Sequence, residues 1–229
     1  MAKPEMLTDD ELVRVVGVMV GLGVTQVRLT GGEPLLRRSL VEVVRRIADL
    51  EPRPRIAMTT NGIGLDRLAA PLAAAGLDRV NVSLDTIDPE HFAGLTRRDR
   101  FNDVVAGLKA ASDAGLTPVK VNAVAMRDVN DADVPDLLRW CLDGGYDLRF
   151  IEQMPLDAQH AWDRSRMVSQ AEILERLGER FSLTPVQERG SAPAELFLVD
   201  GGPATVGAIA SVSAPFCGGC DRVRLTADG

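Results

Sequence analysis

Five short β-rich runs, each followed by a stretch of helical periodicity, constrain this chain more than any other feature. The runs are Val27–Leu29, Arg55–Met58, Arg79–Leu84, Pro118–Ala125 and Leu148–Ile151, and helical patterns fall between them at 38–49, 66–75, 101–115 and 134–142. Gly76, Gly115 and Gly144 stand where three of those helices should stop. Strands alternating with helices at this spacing specify βαβ units and a parallel sheet. A run of similar units favours a barrel or partial barrel over a sheet that reverses direction. Aromatics are only 4% of the chain, and the apolar residues are mostly Val, Leu, Ile and Ala, as two-sided burial of parallel strands favours.

Both ends carry signals of their own. Residues 8–22 read as an amphipathic helix, with Thr8 as N-cap and Glu11 completing a capping box, so a helix and not a strand comes first. At the other end, residues 222–229 read as a strand running into an Asp-Gly hairpin turn whose return strand does not follow. These features predict a piece of a longer protein, with the first barrel strand missing. After a further helix at 170–180 the pattern changes to Gly-rich turns and two short apolar strands. The expected fold is therefore α/β: a partial (β/α) barrel over 1–182 and an antiparallel β extension over 183–229.

Charge and cysteine content exclude several classes of function. The net charge of −7 gives no overall field toward nucleic acid or an anionic membrane, so neither is an expected partner and any basic site must be local. No apolar run approaches the ~20 residues of a membrane span, and residues 1–20 lack a signal-peptide layout. Three cysteines, an odd number, argue against a disulfide framework and for a reducing compartment. A cytoplasmic location is the expectation.

In a fold of this kind ligands bind at the C-terminal ends of the strands. The first strand ends in Thr30-Gly31-Gly32-Glu33-Pro34, where glycines let backbone approach a ligand and Pro34 can open the next helix. The second ends in Thr59-Thr60-Asn61-Gly62 and the third in Asn81-Val82-Ser83-Leu84-Asp85. Lys120 and Asn122, two apart, share one face of the fourth, and the fifth offers Arg149 and then Glu152-Gln153-Met154. Single residues of these kinds serve as caps or turns, but five successive strand ends loaded this way indicate a ligand site.

Cys217-Gly218-Gly219-Cys220 is a second constellation. A CxxC loop can bind iron–sulfur or zinc, or act as a redox pair. Cys141 sits in a helical apolar pattern and reads as core. Arg222 and Arg224 alternate with Val223 and Leu225, which on a strand would aim both guanidiniums to one side, a fork suited to phosphate. His91 and His160 have no ligand partner at suitable spacing and read as surface or packing residues, and Trp140 and Trp162 as core or interface.

The Gly-Gly-Glu-Pro segment resembles the S-adenosylmethionine (SAM) loop of radical SAM enzymes. Residues 27–38, 59–62, 79–85, 119–122, 149–154 and 216–225, taken in order, resemble one branch of that superfamily, the GTP 3′,8-cyclases of molybdenum cofactor biosynthesis. The resemblance implies an incomplete (β/α) barrel, SAM as cofactor and two 4Fe-4S clusters. One cluster, on a Cys-x3-Cys-x2-Cys loop, cleaves SAM to a radical that abstracts hydrogen from C3′ of GTP, and C3′ then bonds to C8. The second cluster holds the guanine.

By the same resemblance Gly32, Ser83 and Met154 match positions that contact SAM, with Glu33 and Asn122 beside it. Arg28, Thr59, Lys120, Arg222 and Arg224 match positions that hold GTP, with Arg149 in the same pocket. Cys217 and Cys220 match two ligands of the second cluster. A cyclic pyranopterin monophosphate synthase acts downstream in such a pathway, and the family often forms homodimers. The sequence departs from the family in three ways: it has no Cys-x3-Cys-x2-Cys spacing, no third ligand after Gly229, and Gln26 where a lysine often faces the triphosphate. A non-catalytic nucleotide-binding remnant and another radical SAM enzyme with a second-cluster domain are the competing readings.

Overall fold

The computed structural model describes residues 6–156, 162–187 and 191–229. In chain order the elements are α1 (Asp9–Gly21), β1 (Gln26–Leu29), α2 (Leu40–Ala48), β2 (Arg55–Thr60), α3 (Leu65–Ala74), β3 (Arg79–Ser83), α4 (Pro89–Thr96) and α5 (Phe101–Asp113). They continue with β4 (Lys120–Ala125), α6 (Val134–Asp143), β5 (Asp147–Glu152), α7 (Gln170–Gly178), β6 (Leu183–Pro185), β7 (Glu195–Val199) and β8 (Thr205–Ile209). The strand–helix alternation read from the sequence is present, with boundaries within one or two residues. Helix α4 was not expected; it forms because Asp88 caps the amides of Glu90 and His91 and Pro89 sits in the first turn, where its missing N–H costs nothing. The segment 222–226 is the converse case, expected as a strand but irregular, since among the described residues nothing forms a ladder with it.

Two compact units interleave along the chain. The first comprises Met1–Val82, Asn102–Val119 and Val223–Gly229. In it β1, β2 and β3 run parallel, with Arg28 opposite Ala57 and Thr59 opposite Asn81. Side chains alternate across the strands, so Ile56, Met58, Val80 and Val82 fall on one face, all fully buried. The helices supply the matching apolar stripes: Val43, Val44 and Ile47 of α2, Leu65 and Leu72 of α3, and Val104 and Leu108 of α5. Burying each such side chain stabilises the fold by about 1.5–3 kcal/mol. Helix α1 starts with the predicted capping box, Thr8 and Glu11 each accepting from the other's amide.

The second unit comprises Ser83–Phe101 and Lys120–Arg222. Strands β4, β5 and β8 run parallel, and β7 and β6 continue antiparallel from β8. The predicted antiparallel material is thus the β6–β7–β8 meander, and its last strand lies against β5. Val121, Ala123, Leu148, Phe150, Val206 and Ala208 form the buried face. Leu137, Leu138 and Cys141 of α6 and Ile173 and Leu177 of α7 are buried with them. Cys141 is therefore core, as read, and burial pushes its thiol far above the ordinary value. Trp140 and Trp162 are half-buried; Trp140 stacks on Tyr146 and Trp162 donates its indole N–H to the Gln153 carbonyl. His91 pairs with Asp133 near the surface, and His160 lies outside the described residues.

Candidate functional site

In the first unit the loop after β1 is held by its acid. Glu33 accepts hydrogen bonds from the Thr60 hydroxyl (2.6 Å), the Asn61 amide (2.8 Å) and the Leu35 amide (3.1 Å). It therefore ties the Gly-Gly-Glu-Pro turn to the end of β2, and Pro34 starts a short 3₁₀ turn, as its fixed φ favours. Gly31 has φ 131°, a conformation other residues avoid. Gly32 is different: its φ is ordinary, and a Cβ there would meet no protein atom within 4 Å. Among the described residues nothing crowds position 32, so its backbone is open to close approach. On the strands of this unit Arg28 is exposed, Thr59 half-buried and Asn81 buried. Arg224 and Gln26 are exposed.

In the second unit Lys120 is nearly buried, its ammonium 2.7 Å from the Asp147 carboxylate directly across the β4–β5 register. Asp147 was not singled out from the sequence, because the pair is made between strands and no spacing within either one reveals it. Arg149 lies opposite Asn122 and beside Gly207 of β8. A Cβ on Gly207 would sit 3.0 Å from Arg149 Cγ, so the glycine makes room for the arginine's stem. The Asn122 carboxamide oxygen is buried and has no hydrogen-bond partner among the described residues, while Ser83 and Met154 are exposed. Asp85 is half-buried, and desolvation pushes its carboxyl up despite the bond it accepts from the Val124 amide. Asn130 braces the same corner, donating to the Asp85 and Val124 carbonyls.

Glu152, read from the sequence only as part of a polar strand end, proves to be structural. It is 1% exposed and accepts from the amides of Gln170, Val212 and Ser213 at 2.8–2.9 Å. Burial alone would raise its carboxyl, but the Ser213 hydroxyl and these amides outweigh that and hold it below the usual value. Gln170 opens α7, so the carboxylate also faces the positive end of that helix.

Cys217 and Cys220 flank one short 3₁₀ turn, and both thiols are free and exposed. Arg222 donates to Cys220 Sγ (3.3 Å) and lies over the Phe216 ring. Its backbone contact first, and then its side chain, hold the Cys220 thiol below the ordinary value, which favours thiolate. Among the described residues no group of three or more His, Cys, Asp or Glu is placed to hold a metal ion. Two exposed thiols one turn apart suit iron–sulfur ligation.

Comparisons with known proteins agree with this chemistry. Residues 1–141 match the radical SAM superfamily and residues 146–229 match the Molybdenum Cofactor Synthesis C family. A GTP 3′,8-cyclase of Streptomyces coelicolor is 62% identical, over 100% of this chain and 68% of that protein. GTP 3′,8-cyclase 2 of Mycobacterium tuberculosis is 59% identical, over 98% of this chain and 64% of that protein. The chain thus spans about two thirds of the length of these relatives. Among solved structures, Streptococcus suis SuiB bound to S-adenosylmethionine gives a TM-score of 0.61 at 20% identity, over 78% of this chain and 40% of that one. Escherichia coli coproporphyrinogen III oxidase, a radical SAM enzyme, gives 0.53 at 16% identity, over 75% and 44%. These likenesses bear out the expected α/β fold, a partial (β/α) barrel. The chain belongs to the radical SAM superfamily and, within it, to the GTP 3′,8-cyclase family.

Proposed function

We propose that this chain forms the SAM- and GTP-holding part of an enzyme, a lyase that converts GTP to (8S)-3′,8-cyclo-7,8-dihydroguanosine 5′-triphosphate in molybdenum cofactor biosynthesis. The observation that carries the reading is the 62% identity to a GTP 3′,8-cyclase over 100% of this chain. SAM, bound against a 4Fe-4S cluster, supplies the hydrogen-abstracting chemistry, and the chain's own residues bind, orient and neutralise.

Gly32, with Ser83, Asn122 and Met154, would hold SAM. Glu33 serves this site by fixing the loop, since its oxygens are already engaged by Thr60, Asn61 and Leu35. Arg28, Thr59, Lys120, Arg149, Arg222 and Arg224 would hold GTP, whose triphosphate needs several cations. The Lys120 ammonium is aimed by its ion pair with Asp147. Cys217 and Cys220 would ligate the second 4Fe-4S cluster beside the guanine.

None of the three cysteines stands in Cys-x3-Cys-x2-Cys spacing, which supports a chain that by itself holds nucleotide without cleaving SAM. The complete enzyme would work in the cytoplasm as a homodimer and pass its product to a cyclic pyranopterin monophosphate synthase. The test is an anaerobic assay of the full-length protein with its clusters reconstituted. GTP-dependent formation of 5′-deoxyadenosine together with the cyclised nucleotide is the expected result. SAM cleavage indifferent to GTP would overturn the substrate assignment, and GTP binding without SAM cleavage would leave only a nucleotide-binding module.

A further inference from the structure

The polar face of the first unit holds one group that the proposed function leaves unassigned. Asn81 lies on β3 directly opposite Thr59 of β2, and one step back Arg28 of β1 stands opposite Ala57 of β2. Residues two apart on a strand share a side, so Arg28, Ala57, Thr59 and Asn81 occupy one face of these three strands. Asn81 is 1% exposed, and its Oδ1 is buried without a hydrogen-bond partner among the described residues. A buried carboxamide oxygen with no donor is destabilising, and an apolar side chain of the same shape would serve the fold as well or better. Asn81 caps no helix and makes no turn, since it lies in the middle of a parallel strand. Asparagine is also a poor strand former. Nothing in the folding of this unit accounts for an asparagine there.

We propose that Asn81 is a nucleotide-binding residue whose Oδ1 accepts a hydrogen bond from a ribose hydroxyl of GTP. The inference rests on the GTP reading. It follows from the chemistry of the face: Arg28 and the Thr59 hydroxyl are donors and suit phosphate oxygens, which only accept. Asn81 Oδ1 is an acceptor, useless to phosphate, and must meet a donor. The ribose is the part of the nucleotide joined directly to the phosphates, and its hydroxyls are the nearest donors to groups that hold them. A pocket built to pair with a hydroxyl rejects the analogue that lacks it, so Asn81 also contributes discrimination between ribo- and deoxyribonucleotides.

The test uses the full-length protein with clusters reconstituted, carrying Asn81→Leu or Asn81→Asp. Melting temperature is measured without nucleotide, and dissociation constants are measured for GTP, 2′-deoxy-GTP, 3′-deoxy-GTP and ITP. N81L should melt no lower than the parent, yet bind GTP about tenfold more weakly, the worth of one hydrogen bond. It should also lose the parent's preference for GTP over the deoxy analogue whose missing hydroxyl Asn81 reads, a preference that N81D keeps. A lower melting temperature with unchanged GTP affinity would assign the oxygen to the fold and overturn the proposal. Lost discrimination against ITP in place of the deoxy nucleotides would put the amide on the base and overturn the ribose assignment. A parent that binds no GTP at all would sink the GTP reading itself, whereas a parent that binds and an N81L variant that binds equally well sinks only the Asn81 inference.

Discussion

The three cysteines of this chain share a side chain and almost nothing else. Cys141 is fully buried in α6 and its thiol is held protonated by burial, while Cys217 and Cys220 are exposed and Arg222 favours the Cys220 thiolate. Iodoacetamide at mildly alkaline pH should therefore modify the two thiols of the CxxC turn in the native, cluster-free protein and Cys141 only after denaturation, as mass spectrometry would count. Alkylation of Cys141 in the native protein would contradict its packing. Lys120 offers a functional counterpart. Replacing it with methionine keeps the buried stem and removes the ammonium; Asp147, which is 40% exposed, can then be met by water. The KM for GTP should rise about ten- to a hundredfold, the worth of one charge-assisted contact, with little change in melting temperature.

At the scale of elements, α7 shows how one side chain serves both a helix and its surroundings. Glu172 pairs with Arg127 and also completes a capping box with Ser169, which together lower its carboxyl to about 2. Because the folded value lies below the ordinary 4.5, this stabilisation is present above about pH 4.5 and is lost as pH falls from there toward 2. Glu172→Gln can still cap the helix but carries no charge. It should cost about 0.5 kcal/mol at neutral pH and flatten the fall in melting temperature through that acid window.

The sequence made such elements legible wherever the signal was local. The capping box at Thr8, the turn at Pro34 and the shared face of Lys120 and Asn122 all follow from neighbours in the chain. What it hid was made between strands or between loops. The Asp147 partner of Lys120, the Gly207 gap beside Arg149 and the engagement of Glu33 with Thr60 depend on register, which period-two patterning leaves open to a shift of two. The expected strand at 222–226 failed for a related reason: its alternation is correct, but a ladder needs a second chain segment. Of the candidate site, residue identity was readable and partnership was not.

At the scale of the whole chain, folding cannot proceed by simple cutting. The first unit takes in Met1–Val82 but also Asn102–Val119, which carries α5. Gly107 of α5 packs so closely on the loop after β2 that a Cβ there would fall 2.6 Å from the Gly62 carbonyl oxygen. A protein consisting of residues 1–82 would keep every strand of the unit yet expose Leu65 and Val82, which α5 helps to bury. It should show helical and β circular dichroism but no cooperative thermal transition, whereas residues 1–119 should recover one. A sharp transition in the shorter piece would show that α5 is dispensable.

The Glu152 clasp has a consequence in plain length. Ser213, which it grips, lies four residues before Cys217, and four residues reach no farther than about 14 Å even when fully stretched. The carboxylate at the end of β5 is thus the post of a short tether, and the backbone at Cys217 can move only within its radius. A single proton on that carboxylate, or its change to glutamine, would let the post go while touching neither sulfur.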